Sequence, residues 1–130
     1  LEPRGAVLTE IAIKGVRLRA VGMHLDLSGL WRRKQSRFIL RDIERRPALP
    51  TVLMGDLNEW TPQGGCLRDF AHRFTFAPTG RSFHARRPVA ALDRILYAGL
   101  TLVSCGVHLS PAARRASDHL PIWADFASTG

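Results

Sequence analysis

Apolar and polar residues alternate near the start of this chain, recur at helical spacing further on and run together at its middle. Ala6-Val7-Leu8-Thr9-Glu10-Ile11-Ala12-Ile13 reads as a strand that ends at Lys14-Gly15, where glycine supplies a tight turn. Val16 to Met23 follows as a second strand, with Val16, Leu18, Ala20 and Gly22 on one face and Arg17, Arg19, Val21 and Met23 on the other. The two are expected to pair as a hairpin, and the second delivers His24 at its C-terminal end. Ser28 is placed to cap a helix running to about Arg46, stopped by Pro47 and Pro50. In that helix Trp31, Gln35, Phe38, Ile39 and Ile43 form the expected buried stripe. Arg33, Arg37, Arg41 and Arg45, four apart, form a cationic ridge opposite, read as a solvated face.

Thr51-Val52-Leu53-Met54-Gly55 is continuously apolar, the pattern of a strand buried on both sides of a sheet, and it runs straight into Asp56-Leu57-Asn58. Pro62-Gln63-Gly64-Gly65 reads as a turn and Gly64 to His72 as a second helix. Short strands follow near Ser82-Phe83, Leu92 to Tyr97, Thr101 to Val107 and Pro121 to Phe126. Strands with two helices, and no internal repeat, predict a mixed α/β sheet protein.

Composition narrows this. One hundred and thirty residues support one domain with a single core. No apolar run approaches the ~18 residues of a membrane helix. Two cysteines, Cys66 and Cys105, are too few for a disulfide scaffold or a four-cysteine zinc site and read as buried thiols. The net charge of +8 comes from 19 Lys+Arg against 11 Asp+Glu, and seventeen of the nineteen are arginine. A basic surface concentrates polyanions such as nucleic acid, phospholipid headgroups and phosphorylated metabolites, and composition alone does not choose among them. The chain begins at Leu1-Glu2-Pro3 without an initiator methionine, which reads as an excised or processed piece. The expected location is the cytoplasm.

The chemistry sits where strands end. There is no glycine-rich phosphate loop, nucleophile elbow, His-Glu-x-x-His or paired-cysteine knuckle. Asp56 and Asn58, two apart just past a buried strand, can point to one side and offer hard oxygens suited to Mg²⁺ or to a phosphate's surroundings. Ser117-Asp118-His119 precedes the last strand, and a histidine with a pKa of ~6.5 beside a carboxylate suits general-base work. Asp93 begins an apolar strand, where a charge is costly without a partner, and His119 is its expected partner. A hydrogen bond from the imidazole to Asp93 is therefore expected, with Asp56 and Asn58 lining the same cleft.

Taken in order, His24-Leu25, Gly55-Asp56-Leu57-Asn58, Leu92-Asp93-Arg94-Ile95 and Ser117-Asp118-His119-Leu120-Pro121 resemble the endonuclease/exonuclease/phosphatase superfamily, the deoxyribonuclease I-like fold. The resemblance runs from Gly5 to Phe126 and corresponds to the C-terminal half of the family domain, so residues 1–130 are expected to be a single partial domain. Gly55-Asp56-Leu57-Asn58-Glu59-Trp60 and Ser82-Phe83-His84-Ala85-Arg86-Arg87-Pro88 are most similar to uncharacterised bacterial metal-dependent hydrolases. The implied fold is half of an α/β/β/α sandwich: one mixed, mostly antiparallel sheet with two helices on one side.

The resemblance also implies roles. His119 would activate the attacking water or contact the scissile phosphate. Asp93 would orient it, the logic of a triad without the serine. Asp56 would position or deprotonate the nucleophile and share the metal site with Asp118, Asn58 would contact phosphate, and His24 would steady charge on phosphorus. The cation would be Mg²⁺ or Mn²⁺. The family's N-terminal half supplies an asparagine and the glutamate that is the main metal ligand, and no residue here stands in those motifs. Glu10 and Glu44 fall on the wrong elements, and Glu59 is a poor substitute.

The function expected is hydrolysis of a phosphodiester or phosphomonoester by an activated water, impaired in this chain alone. The substrate is a phosphate ester, with nucleic acid among the candidates. The missing half of the domain, or a second copy acting as a homodimer, is the other expected partner. A non-catalytic, basic nucleic-acid-binding module that keeps the fold is the rival reading, and an inactive folded fragment is a third. Retention of Asp56, Asn58, Asp93, Asp118 and His119 together argues against the rival, because phosphate binding needs arginines and not a row of carboxylates.

Overall fold

The computed structural model describes residues 4–61 and 64–129. Strands β1 (Gly5–Ile13) and β2 (Val16–His24) form the expected antiparallel hairpin, turned at Lys14 and Gly15, both at positive φ. Helix α1 (Gly29–Glu44) crosses over to β3 (Thr51–Asp56), which lies parallel to β2. Helix α2 (Cys66–Ala71), a two-residue strand β4 (Thr75–Phe76) and β5 (Asp93–Ala98) follow. They give a mixed five-stranded sheet in the order β1-β2-β3-β5-β4. Strand β6 (Leu100–Val107), helix α3 (Pro111–Ala116) and β7 (Ile122–Ser128) complete the chain, β6 and β7 forming a ladder of their own. The mixed α/β architecture with α1 and α2 on one side of the sheet is the one expected. Among the described residues no helix is long and apolar enough to cross a membrane.

Alternation in β2 decides the core. Val21 and Met23 face α1 and α2 and pack with Leu53 and Leu96 of the neighbouring strands against Ile39, Ile43, Leu67 and Phe70 of the helices. Arg19 shares that face and is buried. Its guanidinium donates to the Pro47 carbonyl at 2.7 Å, tying the end of the helical crossover to the sheet. On the opposite face β6 and β7 cover Val52 and Ile95, with Tyr97 against Phe126 at 5.0 Å between ring centroids.

Several expectations need correction. The buried stripe of α1 is Arg32, Ser36, Ile39 and Ile43, whereas Trp31 and Phe38 are exposed. The helix is rotated so that polar residues meet partners on the segment after β3: Arg32 reaches Glu59 and Ser36 reaches Asp69. Trp31 and Phe38 instead line an open groove of about 390 Å³ beside β1. Ion pairs hold Arg33 and Arg37 to Asp69, Arg45 and Arg46 to Asp42, and Arg73 to Glu44, so much of the expected solvated ridge is neutralised. Strand β3 is not buried on both sides throughout, because Met54 is exposed where the β6–β7 ladder does not reach. The second helix starts at Cys66, and the turn expected at Pro62-Gln63-Gly64-Gly65 lies partly outside the described residues. Ser82-Phe83 is not a strand; Phe83 makes only isolated bridges, to Ala90 and His119. Helix α3 was not expected, although Ser110 caps it by accepting from the Ala113 N–H and Pro111 opens its first turn. Cys66 is buried and Cys105 half-buried, both free.

Candidate active site

Strand register builds the site. His24 lies opposite Asp56 in the β2–β3 pairing, and Asp56 lies opposite Asp93 in the β3–β5 pairing. The ends of β2 and β3 and the start of β5 thus present one imidazole and two carboxylates in a row. The rows continue past the strands through Leu25 N–H to the Asp56 carbonyl and Leu57 N–H to the Leu92 carbonyl, both 2.9 Å. Close strand approach just before Asp56 requires glycine. A Cβ on Gly55, at φ 144°, would lie 1.8 Å from the Met23 carbonyl oxygen.

The fourth side chain comes from the segment before β7. Leu120 N–H donates to the Ser82 carbonyl and Ala85 N–H to the Asp118 carbonyl, so the 82–85 loop holds His119 over the end of β5. His119 Nδ1 lies 2.7 Å from Asp93 Oδ2, the expected contact. A carboxylate only accepts, so Nδ1 carries the hydrogen and Nε2 is left open. That Nε2 lies 3.7 Å from Asp56 Oδ2, and His24 Nε2 lies 4.0 Å from the same oxygen. Burial alone would favour the neutral His119 ring. The hydrogen bond and charge of Asp93, with Asp56 and Asp118 adding, outweigh it and raise the His119 pKa above the ordinary value. Burial pushes the Asp56 carboxyl above its ordinary value. Nearby Asp93 adds to this, while the Asn58 backbone N–H and the two histidines oppose it.

Not every expected residue enters this cluster. Asn58, at φ 50°, is buried, and its amide donates to the Leu25 carbonyl at 2.8 Å while its backbone N–H donates to Asp56 Oδ1. Its amide N–H braces the loop that carries Asp56, and its Oδ1 makes no hydrogen bond to a described residue. Asp118 is exposed and stands outside the compact set. Glu59 is consumed by Arg32 and by the backbone N–H groups of Thr61 and Cys66.

Three neighbours were not anticipated. Ser82 donates its hydroxyl to Asp93 Oδ2, Phe83 packs its ring 4.9 Å from His119, and Arg4 contacts His24. The Ser82-Phe83 strand expectation had marked that stretch without a role for it.

Ligand atoms of Asp56, Asp93 and His119 all lie within 4.8 Å of one another. Asp93 Oδ2 is engaged by His119 and Ser82, whereas Asp93 Oδ1 and Asp56 Oδ2 make no hydrogen bond to a described residue. One or two carboxylates suit Mg²⁺ or Mn²⁺, which keep several waters and take further oxygens from a substrate phosphate. A carboxylate whose burial disfavours its own charge also gains from an added cation, so the residues fit such an ion, loosely held.

A model of the endonuclease/exonuclease/phosphatase family matches residues 4–119. None of the curated proteins matches the sequence. The fold is similar to that of a functionally unknown conserved protein from Enterococcus faecalis V583, with a TM-score of 0.81 and 23% identity, over 95% of this chain and 56% of that one. It is also similar to a mannosyl-6-phosphatase of Bacteroides thetaiotaomicron VPI-5482, with a TM-score of 0.72 and 18% identity over 88% and 52% of the two chains. A third likeness is to D. rerio TDP2 complexed with a single-strand DNA product, with a TM-score of 0.73 and 17% identity over 95% and 61%. At these identities the likeness is one of fold. This chain spans little more than half the length of each.

Proposed function

The chain belongs to the endonuclease/exonuclease/phosphatase family, whose members are hydrolases acting on phosphoesters, and from that premise we propose that it is the C-terminal half of a metal-dependent phosphoesterase. The observation that carries the reading is His119, tied through Nδ1 to Asp93 with Nε2 open towards Asp56. Nε2 accepts the proton of an attacking water, and Asp93 fixes the ring's tautomer and steadies the imidazolium that forms. Ser82 holds the Asp93 carboxylate in place. His24, on the other flank of Asp56, faces the charge that develops on the phosphoryl oxygens. Asn58 supports the Asp56 loop from beneath. Asp56 would hold Mg²⁺ or Mn²⁺, which when bound withdraws charge from the phosphoryl oxygens. Two free cysteines suit a reducing compartment such as the cytoplasm.

With only the carboxylates of Asp56 and Asp93 in the compact set to hold the ion, this chain alone should turn over slowly. Bis(p-nitrophenyl) phosphate hydrolysis in millimolar Mn²⁺ is expected to be slow, abolished by chelator and reduced on the order of 10²-fold or more by His119→Ala. Hydrolysis that His119→Ala leaves intact would remove the proposed chemistry from this site.

A further inference from the structure

His119 is tied at one end only. Asp93 fixes its Nδ1 at 2.7 Å, but Nε2 lies 3.7 Å from Asp56 Oδ2, too far for a hydrogen bond to hold it. The torsion that turns an imidazole about its Cβ–Cγ bond has broad minima. One hydrogen bond at Nδ1 therefore leaves the ring free to tilt and to carry Nε2 away from Asp56. The Ser82 hydroxyl braces the carboxylate end of this pair, not the open nitrogen.

Phe83 supplies the second restraint. Its ring lies 4.9 Å from the His119 ring at 50°, the geometry of a favourable aromatic contact. The Phe83 backbone is held from two sides. Its N–H donates to the Ala90 carbonyl at 3.0 Å, and its carbonyl accepts from the N–H groups of Val89 and Ala90. It also bridges to His119, where Leu120 N–H donates to the Ser82 carbonyl. The same Phe83 ring is met edge-on by Trp60 at 5.6 Å and 86°. Trp60 follows Glu59, whose buried carboxylate is bound by Arg32 and by the N–H groups of Thr61 and Cys66. Trp60, Phe83 and His119 thus make a chain of ring contacts from the loop that carries Asp56 to the segment that carries His119.

Resting on the phosphoesterase reading, we propose that Phe83 is a positioning residue: supported by Trp60, its ring sets the tilt of the His119 imidazole and keeps Nε2 directed towards Asp56. Phe83 acts through His119 and not on the substrate. A small misplacement of a reacting group costs more in rate than the ring contact contributes to stability.

Steady-state hydrolysis of bis(p-nitrophenyl) phosphate by the full chain in Mn²⁺ separates kcat from KM, with circular dichroism showing that each variant is folded. Phe83→Leu should lower kcat on the order of 10–10²-fold with KM unchanged, and Phe83→Tyr, which keeps the ring, should recover most of it. Trp60→Leu should lower kcat roughly two- to tenfold by itself and add little beside Phe83→Leu, because both act through one ring. A second readout needs neither metal nor turnover. In EDTA, ¹³C relaxation at His119 Cε1 should report a rigid ring in the wild type and in Phe83→Tyr, and a mobile one in Phe83→Leu. A rise in KM at constant kcat would make Phe83 a substrate contact and overturn the proposal. Additive Trp60 and Phe83 effects would overturn it too, as would a His119 ring whose mobility Phe83→Leu leaves unchanged. If Phe83→Leu spares kcat while His119→Ala still abolishes hydrolysis, the positioning role is lost and the phosphoesterase reading stands. Hydrolysis indifferent to His119→Ala removes that reading instead.

Discussion

A histidine tethered by one ring nitrogen to a carboxylate titrates differently from a free one, and in this site the consequence is directional. Burial favours the neutral His119 ring, but Asp93, Asp56 and Asp118 together win and hold its pKa above the ordinary value. If Nε2 must be free to accept a proton, the acid limb of the rate profile lies above the usual histidine range. Replacing Asp93 with Asn removes both the charge and the charge-assisted hydrogen bond that do most to raise this pKa. The limb should therefore move to lower pH while the plateau rate falls on the order of 10²–10⁴-fold, as the ring loses its fixed tautomer. Rate profiles of wild type and Asp93→Asn between pH 5 and 9 check this, and a limb that stays in place would detach Asp93 from the titration. The pair was legible in sequence because a carboxylate heading an apolar strand needs a partner, and His119 was the nearest chemistry in kind. The bond from the Asn58 amide to the Leu25 carbonyl was not legible, since it depends on a positive φ and on a segment 33 positions away. Ser82 was hidden for a similar reason: its partner lies eleven residues away, and the loop's bonds to Ala90 and to the His119 segment bring the two together.

At the scale of elements, the segment between β3 and α2 is fastened to α1 by a buried ion pair. Arg32 Nη2 lies 3.3 Å from Glu59 Oε2, and the same guanidinium donates to the Leu27 carbonyl at 2.6 Å. Glu59 also accepts from the N–H groups of Thr61 and Cys66, and a Cβ on Gly65 would meet its Oε1 at 1.8 Å. Arg32→Ala would leave that carboxylate buried without its cation, at an expected cost of about 3–5 kcal/mol. Arg32→Met combined with Glu59→Gln should recover most of the loss. No charge is then stranded, and the amide oxygen still accepts from Cys66. Urea unfolding of the two variants measures the difference, and equal destabilisation in both would mean that the pair contributes through shape and not through charge. This contact also explains why helical spacing chose the wrong stripe. Periodicity scored Trp31 and Phe38 as interior because they are apolar. The rotation of α1 is set instead by Glu59 and Asp69, acids lying 27 and 33 positions beyond the residues they bind. The strands β1, β2, β3 and β5, by contrast, were legible as elements, and the β1–β2 pairing with them, because hairpin turns and apolar runs are local signals, whereas the pairing of β3 with β2 and β5 is not local.

For the whole molecule, the two faces of the five-stranded sheet are unequally covered. Helices α1 and α2 close one face, and the β6–β7 ladder closes the other only over β3 and β5, burying Val52 and Ile95. The hairpin half of that second face stays open. Register places Val7 opposite Gly22, Ile11 opposite Leu18 and Ile13 opposite Val16, with Met54 beside Gly22 on β3. Val7 is 74% exposed, Ile13 52% and Met54 41%. These side chains share one face beside β1, whose outer edge carries no neighbouring strand among the described residues. An open strip with an unpaired edge is the combination that natural monomers avoid. This chain covers only 56% and 52% of two of the similar structures, so each has further chain with which such a face can be closed. Isolated, the chain should close it with a second copy, as a two-fold dimer in which each hairpin covers the other. Light scattering over a hundredfold concentration range should show a mass rising towards twice the 14.5 kDa of the chain. Val7→Lys with Met54→Lys should return it to a monomer at little cost to the melting temperature, since both side chains are already exposed. A wild-type chain that stays monomeric across the whole range would mean that the open strip is tolerated in water and that the hairpin is stable without a cover.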